Sequence, residues 1–426
     1  MDYFVKACQK FNGQISLAGD KSISHRLAIL GAIANGNTII RNYCTGEDFR
    51  STLNCLSDLG IEIDLNHNEA VIHGKGLFGF TEPNKVLDSR NSGTTIRLLT
   101  GILAAQKFAS TITGDESLLN RPMKRVIEPL SLMGAQIEAR KNNFPPLSIR
   151  GTKLKPINYI LPIGSAQVKS AIILSALHCN GISKIYDPFN SRNHTENLLP
   201  FFGANISTEN GWITINGLSS LKGIDYIIPG DFSSAAFFIT GALLNENSSI
   251  IIKNVGLNPT RIGLLYILKK MNAKFFIDNT HTIGNENIGD IIVSSSDLSA
   301  IEIDKKIIPT IIDELPILAI LATKATGTTI VKDAEELRYK ETDRIYAIVN
   351  NLTNLGISIK ELKDGFIIKG KQKIIGGVAN SFNDHRIAMS MAIAGTASQE
   401  GVLIKNADCV SISFPQFFDI LNSLTA

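Results

Sequence analysis

Cysteine and net charge are scarce in this chain, and each scarcity excludes a class of protein. The five cysteines among the 426 residues are scattered, odd in number and form no Cys-x-x-Cys pair. This pattern argues against a disulfide framework or a cysteine-based zinc site, and it suits a reducing cytosol. The seven histidines show no paired metal-ligand spacing either, so we expect no bound metal.

Long apolar runs are also missing. No run approaches the roughly 18–20 apolar residues that a membrane span needs, and the start of the chain lacks the basic segment and apolar core of a signal peptide. A net charge of +3 is too weak to indicate nucleic acid or a membrane surface as a partner. We therefore expect a soluble, cytoplasmic protein, and its length favours two domains over one.

What the sequence does contain is an internal repeat. A short polar motif, an apolar helix and a β-prone segment recur six times, at intervals of roughly 65–80 residues that suit repeated structural units. The motifs begin at Gly19, Asn91, Gly164, Gly230, Asp313 and Asn383. A second helix that closes on Gly or Asn follows most copies, and two β-prone runs joined by a turn come next. Each unit is therefore predicted to be βαβαββ.

The sixth copy is short because it ends at the C-terminal helix. We predict that residues 3–7 and 14–17 supply its missing strands, since both segments are β-prone and precede the first motif. One of the two domains is then discontinuous in sequence.

The starts of the apolar helices are the first functional signal. Backbone N–H groups are free in the first turn of a helix and carry partial positive charge, so these ends bind anions. Simple N-capping explains Asp231, Ser233 and Ser234 equally well. Basic side chains that capping does not need accompany other motifs, namely Lys21, Arg26, Arg97 and Arg386.

Residues 337–344 place several charges at the predicted start of a helix. Apolar residues recur downstream at three- and four-residue steps, which indicates one buried helix face. They are Ile345, Ile348, Leu352 and Leu355. Extended backwards, that face carries Glu341 and Arg344, with Lys340 at its border. Because an unpaired buried ion is costly, we predict that these three side chains line a polar cleft rather than form a surface pair.

Six motifs together resemble those of the 5-enolpyruvylshikimate-3-phosphate synthase family, in order and over essentially the whole chain. They are Lys21-Ser22-Ile23-Ser24-His25-Arg26, Asn91-Ser92-Gly93-Thr94, Asn120-Arg121-Pro122, Ser165-Ala166-Gln167-Val168-Lys169, residues 337–344 and Asp384-His385-Arg386. The resemblance implies an α/β (α+β) enolpyruvyl-transferase fold of six βαβαββ units, three in each of two domains. The expected domains are residues 18–228 and residues 1–17 with 229–426, with crossovers near 16–18 and 227–230.

The resemblance also implies a reaction. The family transfers the enolpyruvyl group of phosphoenolpyruvate to the 5-hydroxyl of shikimate 3-phosphate by addition and elimination, and it releases phosphate. This is the sixth step of the shikimate pathway, and it uses neither a metal nor an organic cofactor. The implied partners are these two small-molecule substrates, without nucleic acid or membrane, and the expected state is a monomer.

Residue roles follow from the motifs by the same resemblance. Asp313 is the implied base at the 5-hydroxyl, and Glu341 and Lys21 are the candidates for proton transfer at the enolpyruvyl carbon. Residues implied for shikimate 3-phosphate are Lys21, Ser22, Arg26, Ser165, Gln167, Arg192, Asp313 and Lys340. Residues implied for phosphoenolpyruvate are Lys21, Gly93, Arg121, Gln167, Arg344 and Arg386. Asp313 has an alternative role as the N-cap of the helix through Pro316, and Asn91 as a helix cap.

Some positions depart from the best-known branch of the family. Ala166 replaces a serine, Glu336 an asparagine and Ile412 a lysine that helps to hold phosphoenolpyruvate. The chain therefore resembles the second bacterial sequence class. Gly93 is retained, which predicts sensitivity to glyphosate, a competitor at the phosphoenolpyruvate site.

Three other functions remain as alternatives. The sister transferase that acts on UDP-N-acetylglucosamine has Lys-Asn at the first motif and a loop cysteine near position 115, where this chain has Lys21-Ser22 and Asp115-Glu116-Ser117. RNA-terminal phosphate cyclase is built from similar units but needs a histidine nucleophile and ATP. A non-catalytic polyanion-binding module would not need Asp313 and Glu341.

Overall fold

The computed structural model describes residues 1–426 and divides the chain into two compact units. We call them by their place in the sequence. The central unit is Gly19–Ile228 together with Ile283–Glu286. The terminal unit is Met1–Ala18, Pro229–Thr282 and Asn287–Ala426.

Fourteen α-helices occur along the chain. They are α1 Lys21–Ala32, α2 Glu47–Asp58, α3 Gly93–Leu103, α4 Glu116–Leu119, α5 Lys124–Leu132, α6 Ala166–Ala176, α7 His194–Leu198, α8 Phe232–Leu244, α9 Gly263–Lys270, α10 Ile308–Ile311, α11 Leu315–Lys324, α12 Arg344–Asn354, α13 His385–Thr396 and α14 Phe417–Thr425. Short 3₁₀ helices cover Lys141–Asn143, Lys305–Ile307, Glu335–Tyr339 and Ala407–Ile412.

Twenty-two strands complete the regular structure. They are β1 Tyr3–Val5, β2 Asn12–Ser16, β3 Asn35–Arg41, β4 Ile63–Leu65, β5 Glu69–Lys75, β6 Leu87–Asp88, β7 Ala109–Thr113, β8 Gln136–Arg140, β9 Phe144–Arg150, β10 Asn158–Ile160, β11 Ile182–Tyr186, β12 Asn205–Glu209, β13 Trp212–Asn216, β14 Asp225–Ile227, β15 Ser249–Gly256, β16 Lys274–Ile283, β17 Glu286–Ser294, β18 Thr328–Val331, β19 Ile359–Leu362, β20 Gly365–Lys369, β21 Gly377–Asn380 and β22 Val402–Lys405.

The strands form six small mixed sheets, three in each unit. The central unit contains the orders β14-β3-β5-β4, β6-β7-β9-β8 and β10-β11-β13-β12, and the terminal unit contains β16-β17-β15-β2, β18-β20-β19 and β1-β22-β21. In each four-stranded sheet, one inner strand pairs in parallel with an edge strand on one side. On its other side it pairs antiparallel with one strand of a β-hairpin. Strand β3, for example, lies between the edge strand β14 and the hairpin strand β5. The predicted sixfold repetition of one mixed unit is confirmed.

The N-terminal strands divide between two sheets, which corrects one part of the prediction. Strand β1 pairs with β22 and completes the sixth sheet. Strand β2 instead pairs in parallel with β15 in the fourth sheet, where Ile15 lies beside Ile252. The β-prone pattern indicates a strand but not its partner, because partner choice depends on which sheet edge is open in the fold.

The first helix of each repeat is buried on nearly all sides. In the terminal unit α8, α11 and α13 pack against one another, and in the central unit α3 packs against both α1 and α6. Because these helices are surrounded by other elements, their sequences are apolar on nearly all sides, whereas α12 has only one apolar face. Each unit has its own hydrophobic core. None of the helices combines the length and hydrophobicity that a membrane crossing requires.

Candidate active site

The polar motifs lie at the beginnings of the buried helices. Four of the N-capping side chains accept a backbone N–H from their own first turn within 3.2 Å, and Ser165 does so at 3.4 Å. The N-caps are Asp20, Ser92, Ser165, Asp231 and Asp384.

Two of the alternative capping roles are excluded by this geometry. Helix α11 begins after Glu314 and has no side-chain cap, so Asp313 is not its N-cap. Helix α3 is capped by Ser92 rather than by Asn91. The Asp313 carboxylate is therefore not used for helix capping, and another role has to explain it.

Lys21 is the first residue of α1, and its ammonium group is paired. Its Nζ lies 2.8 Å from Oδ2 of Asp48, in the first turn of α2. The two side chains are mostly but not completely buried, at 19% and 10% exposure. An ion pair in this setting restricts the ammonium group to one position.

Gly93 begins α3 beside two arginines. Arg97 donates through Nη1 to the Gly93 carbonyl oxygen at 3.2 Å and to Oε1 of Gln167 at 2.7 Å. Gln167 in turn donates to Oγ1 of Thr94 at 2.9 Å. A Cβ atom on Gly93 would lie 2.6 Å from Nη1 of Arg97 and 3.4 Å from Nη1 of Arg121. A side chain at Gly93 would therefore require the Arg97 guanidinium group to move.

Arg121 is held by the segments on either side of it. Its Nη2 donates to Oδ1 of Asn91 at 2.9 Å and to Oγ of Ser117 at 3.0 Å. Asn91 also donates to Asp115, which caps the short helix α4. The segment that carries a cysteine in the UDP-N-acetylglucosamine enzymes is thus a support for Arg121 and Asn91 in this chain.

Arg26 is almost completely buried, at 3% exposure. Its guanidinium group donates to the Ser22 carbonyl oxygen at 2.9 Å, to Oγ of Ser170 at 2.8 Å and to Oγ1 of Thr195 at 2.7 Å. These bonds join the first turn of α1 to α6 and α7. Arg192 lies on the half-buried segment that leads into α7.

The terminal unit contributes a cluster around Arg344, which is 1% exposed. Its guanidinium group lies 2.8 Å from Asp384, 2.7 Å from Glu341 and 3.4 Å from Asp313. Burial alone lowers the pKa of Arg344, but the three carboxylates outweigh that effect and raise the pKa above its ordinary value. Arg386 donates to the Asp313 carbonyl oxygen at 3.0 Å and lies 3.7 Å from its carboxylate.

The helix that carries Arg344 starts later than the apolar pattern predicted. Helix α12 begins at Arg344 with Asp343 as its N-cap, so Lys340 and Glu341 precede it. Glu341 reaches Arg344 from this non-helical segment, and Lys340 lies 3.8 Å from Glu336. The residues downstream that predicted the buried face, Ile345, Ile348, Leu352 and Leu355, are all buried.

A sequence model of the EPSP synthase (3-phosphoshikimate 1-carboxyvinyltransferase) family matches residues 5–421. The chain belongs to this family. It is 52% identical over 425 residues to the 3-phosphoshikimate 1-carboxyvinyltransferase of Petrotoga mobilis, covering 99% of this chain and 98% of the relative. The enzyme of the same name from Bacillus subtilis is 46% identical, with 98% of both chains covered.

Solved structures agree with this assignment. A structure of EPSP synthase from Acinetobacter baumannii matches with a TM-score of 0.89 and 41% identity, covering 100% of this chain and 98% of that one. The enolpyruvyl transferase NikO from Streptomyces tendae matches with a TM-score of 0.81 at 14% identity, covering 99% and 96% of the two chains, which is a likeness of fold. The predicted enolpyruvyl-transferase fold is confirmed, and the chain is a transferase of the shikimate pathway.

Sequence reasoning missed two side chains of these clusters. Asp48 pairs with Lys21 but lies outside every motif, and only the contact reveals it. Asp384 belongs to the Asp384-His385-Arg386 motif, yet its pairing with Arg344 could not be read from residues 40 positions away in sequence. His385 is buried at 2% exposure.

Proposed function

We propose that Asp313, Glu341 and Lys21 are the proton-transfer groups with which this EPSP synthase family member transfers the enolpyruvyl group of phosphoenolpyruvate to the 5-hydroxyl of shikimate 3-phosphate. The observation that carries the assignment is that Asp313 and Glu341 are both paired with the buried Arg344. These ion pairs hold both carboxylates at one guanidinium group, and a positioned carboxylate is a common general acid or base.

The addition step needs two proton transfers, and the elimination step removes one proton from carbon. In the addition step Asp313 takes the proton of the 5-hydroxyl while that oxygen bonds to C2 of phosphoenolpyruvate, and a proton is delivered to the methylene carbon. In the elimination step a proton leaves the same carbon, the C–O bond to phosphate breaks and the enol ether forms. Glu341 and Lys21 serve the carbon, and each well-placed acid or base contributes about 10²–10⁴-fold in rate.

We assign the phosphoenolpyruvate anion to the guanidinium groups and the start of α3. Arg97 donates to Gly93 and Gln167, and Arg121, held by Asn91, lies near Gly93. A helix N-terminus next to guanidinium groups suits a carboxylate or phosphate. Arg344 and Arg386 supply further charge beside Asp313.

Shikimate 3-phosphate is assigned to the starts of α1 and α6 and to two further positions. The residues are Lys21, Ser22, Arg26, Ser165, Gln167, Arg192, Asp313 and Lys340. Arg26 is the member most restricted by protein contacts, because all three of its nitrogen atoms already donate to protein oxygens. Its contribution is therefore expected to be mainly to hold Ser22 and α6 in place.

Finer properties are proposed on the same basis. Ala166, Glu336 and Ile412 support membership of the second bacterial sequence class, and Gly93 supports sensitivity to glyphosate. We further propose that the two units are the family's two domains, and that the enzyme is a cytoplasmic monomer.

The decisive experiment is release of inorganic phosphate by the purified protein. We expect release only when phosphoenolpyruvate and shikimate 3-phosphate are both present, and none when UDP-N-acetylglucosamine replaces the latter. In single-turnover assays Asp313→Ala and Glu341→Gln should each be at least 100-fold slower than wild type. The control is Glu361→Gln, which alters an exposed carboxylate paired with Arg338 and should keep the wild-type rate. Rates near wild type for both site variants would refute the catalytic assignment.

A further inference from the structure

Helix α6 carries a lysine whose ammonium group is completely enclosed. Lys169 lies one turn after Ser165 and is 2% exposed. Its Nζ lies 2.8 Å from Oδ2 of Asp187, 2.8 Å from Oε1 of Glu196 and 2.8 Å from the Ser191 carbonyl oxygen. A lysine ammonium has three N–H donors, so these three oxygens use its whole capacity and fix its position.

One of these partners organises the loop between β11 and α7. The Asp187 carboxylate accepts the Phe189 N–H at 3.0 Å, the Ser191 N–H at 3.0 Å and the Ser191 hydroxyl at 2.6 Å. Burial alone raises the pKa of Asp187, but Lys169 and these donors lower it below its ordinary value, so the carboxylate stays ionised. The loop that ends at Arg192 is therefore folded around a carboxylate that Lys169 holds.

The other partner leads to the start of α1. Glu196 lies on α7 next to Thr195, whose hydroxyl contacts Oγ of Ser170 at 2.7 Å and accepts from Arg26 at 2.7 Å. Arg26 donates in turn to the carbonyl oxygen of Ser22. The neighbours Lys169 and Ser170 on α6 thus connect the 187–192 loop, α7 and the first turn of α1.

Stability alone is a weak reason for such a cluster. Removing three charged groups from water costs several kcal/mol per ion, and well-packed apolar residues of similar volume often stabilise a protein as much or more. What the cluster provides is a fixed geometry for three segments. These segments carry Ser22, Ser165 and Arg192, which are assigned to shikimate 3-phosphate alone. Lys21 and Gln167, which are assigned to both substrates, lie on the same helices, but their side chains bond to Asp48 and to α3 rather than to the cluster. None of the cluster's contacts reaches Gly93 or Arg121.

We propose that Lys169, Asp187 and Glu196 are positioning residues that set the shikimate 3-phosphate side of the site by holding the 187–192 loop and α7 against α6. They do not touch the substrate. The inference rests on the proposed function, and it predicts that only one of the two substrates binds less tightly. Loss of the cluster weakens binding of shikimate 3-phosphate and leaves binding of phosphoenolpyruvate intact.

The test is a steady-state comparison of KM for the two substrates. Asp187→Asn keeps the shape of the side chain but removes its charge and one acceptor atom. We expect KM for shikimate 3-phosphate to rise at least tenfold and KM for phosphoenolpyruvate to change less than twofold, with kcat at saturation within threefold of wild type. Ser191→Ala removes one hydrogen bond to Asp187 but leaves no buried charge without its partner. This variant should raise KM for shikimate 3-phosphate about threefold, and it remains a test if Asp187→Asn folds poorly.

The matched control is Asp290→Asn in the terminal unit. Asp290 is also a buried carboxylate that pairs with a lysine, Lys253, and accepts both a backbone N–H from Asn254 and a side-chain donor, Asn279. We expect a similar loss of thermal stability for this variant with both KM values unchanged. If Asp187→Asn lowers only the stability, or raises both KM values equally, the inference is wrong while the proposed function stands. If the wild type releases no phosphate, the proposed function fails and the inference fails with it.

Discussion

A methyl group added at Gly93 would meet two guanidinium groups, and this predicts the effect of a Gly93→Ala substitution. A Cβ 2.6 Å from Nη1 of Arg97 forces that side chain to move, whereas 3.4 Å from Nη1 of Arg121 is ordinary van der Waals contact. Arg97 is bonded to Gln167, so the displacement spreads to a second residue assigned to phosphoenolpyruvate.

For Gly93→Ala we therefore expect KM for phosphoenolpyruvate to rise at least tenfold and the inhibition constant of glyphosate to rise by more. KM for shikimate 3-phosphate should change less than threefold, which serves as the internal control for folding. Steady-state kinetics with both substrates and glyphosate measures all three. Unchanged KM for phosphoenolpyruvate, or no inhibition of the wild type at millimolar glyphosate, would contradict the placement of the anion at Gly93.

His25 is a buried residue of the first motif that titrates away from its ordinary range. Its Nδ1 contacts Oγ1 of Thr52 at 2.6 Å, Thr52 contacts Oγ1 of Thr95 at 2.6 Å, and Thr95 donates to the N-cap Ser92 at 2.7 Å. Burial, followed by the charges of Lys21 and Arg26, holds the pKa of His25 well below its usual 6.5. The neutral ring therefore links the starts of α1 and α3 through hydroxyl groups.

This pKa predicts a loss of stability in acid. Above pH 6.5 both folded and unfolded chains carry a neutral His25, whereas below it only the unfolded chain takes up the proton. The free energy of unfolding should then fall by about 1.4 kcal/mol for each pH unit through this residue. His25→Asn keeps a donor toward Thr52 but cannot titrate. The difference between wild type and this variant in denaturant unfolding should be constant from pH 7 to 8 and shrink below 6.5, and a constant difference down to pH 5 would exclude the mechanism.

At the level of single residues, the sequence provides candidate site residues but not their contacts. The motif residues Lys21, Arg344 and Asp313 could be chosen because their types and order match a family. Asp48 could not, because a carboxylate in the first turn of a helix ordinarily serves the helix dipole. Its pairing with Lys21 depends on how α1 and α2 pack, which no local pattern encodes.

At the level of elements, α12 and α13 share one carboxylate. Asp384 caps α13 by accepting the Arg386 N–H at 2.8 Å, and its two oxygens also hold Arg344, the first residue of α12. One residue thus sets the positions of two arginines assigned to phosphoenolpyruvate.

Asp384→Asn separates the helix-capping role of this residue from its ion pair with Arg344. Asparagine caps helices as well as aspartate, so α13 should keep its start while Arg344 loses its strongest ion pair. We expect kcat to fall 10- to 100-fold, with a change in melting temperature of only a few degrees, measured by phosphate release and thermal unfolding. Asp384→Ala removes the cap as well and should be clearly less stable. Wild-type turnover in Asp384→Asn would show that Arg344 needs no fixed partner.

Element boundaries show where sequence patterns stop being informative. The apolar periodicity of α12 is correct from Ile345 onward, but it cannot tell that Asp343 caps the helix and excludes Glu341 from it. Strand β2 was assigned to the sixth sheet and lies in the fourth, because its partner β15 is more than 230 residues away in sequence and is chosen by the tertiary fold. Local pattern predicts the type of element, and packing decides its end and its partner.

At the level of the whole molecule, the two units have separate hydrophobic cores built on the same plan. Leu27 in α1 belongs to the core of the central unit, and Leu318 in α11 belongs to that of the terminal unit. Both are at most 1% exposed. Two cores of this kind favour two cooperative unfolding steps over one.

The single tryptophan makes this testable because it reports on one unit. Trp212 lies in the central unit on β13, with its ring centroid 5.0 Å from that of Tyr186. Truncation of a fully buried leucine to alanine costs about 2–5 kcal/mol. We expect Leu27→Ala to lower the denaturant midpoint of the Trp212 fluorescence transition. Leu318→Ala should leave that midpoint unchanged and shift only part of the transition seen by far-UV circular dichroism. A single transition that both substitutions shift equally by both probes would instead mean that the two cores unfold as one cooperative structure, because a probe confined to one unit can sense damage in the other only through coupling between them.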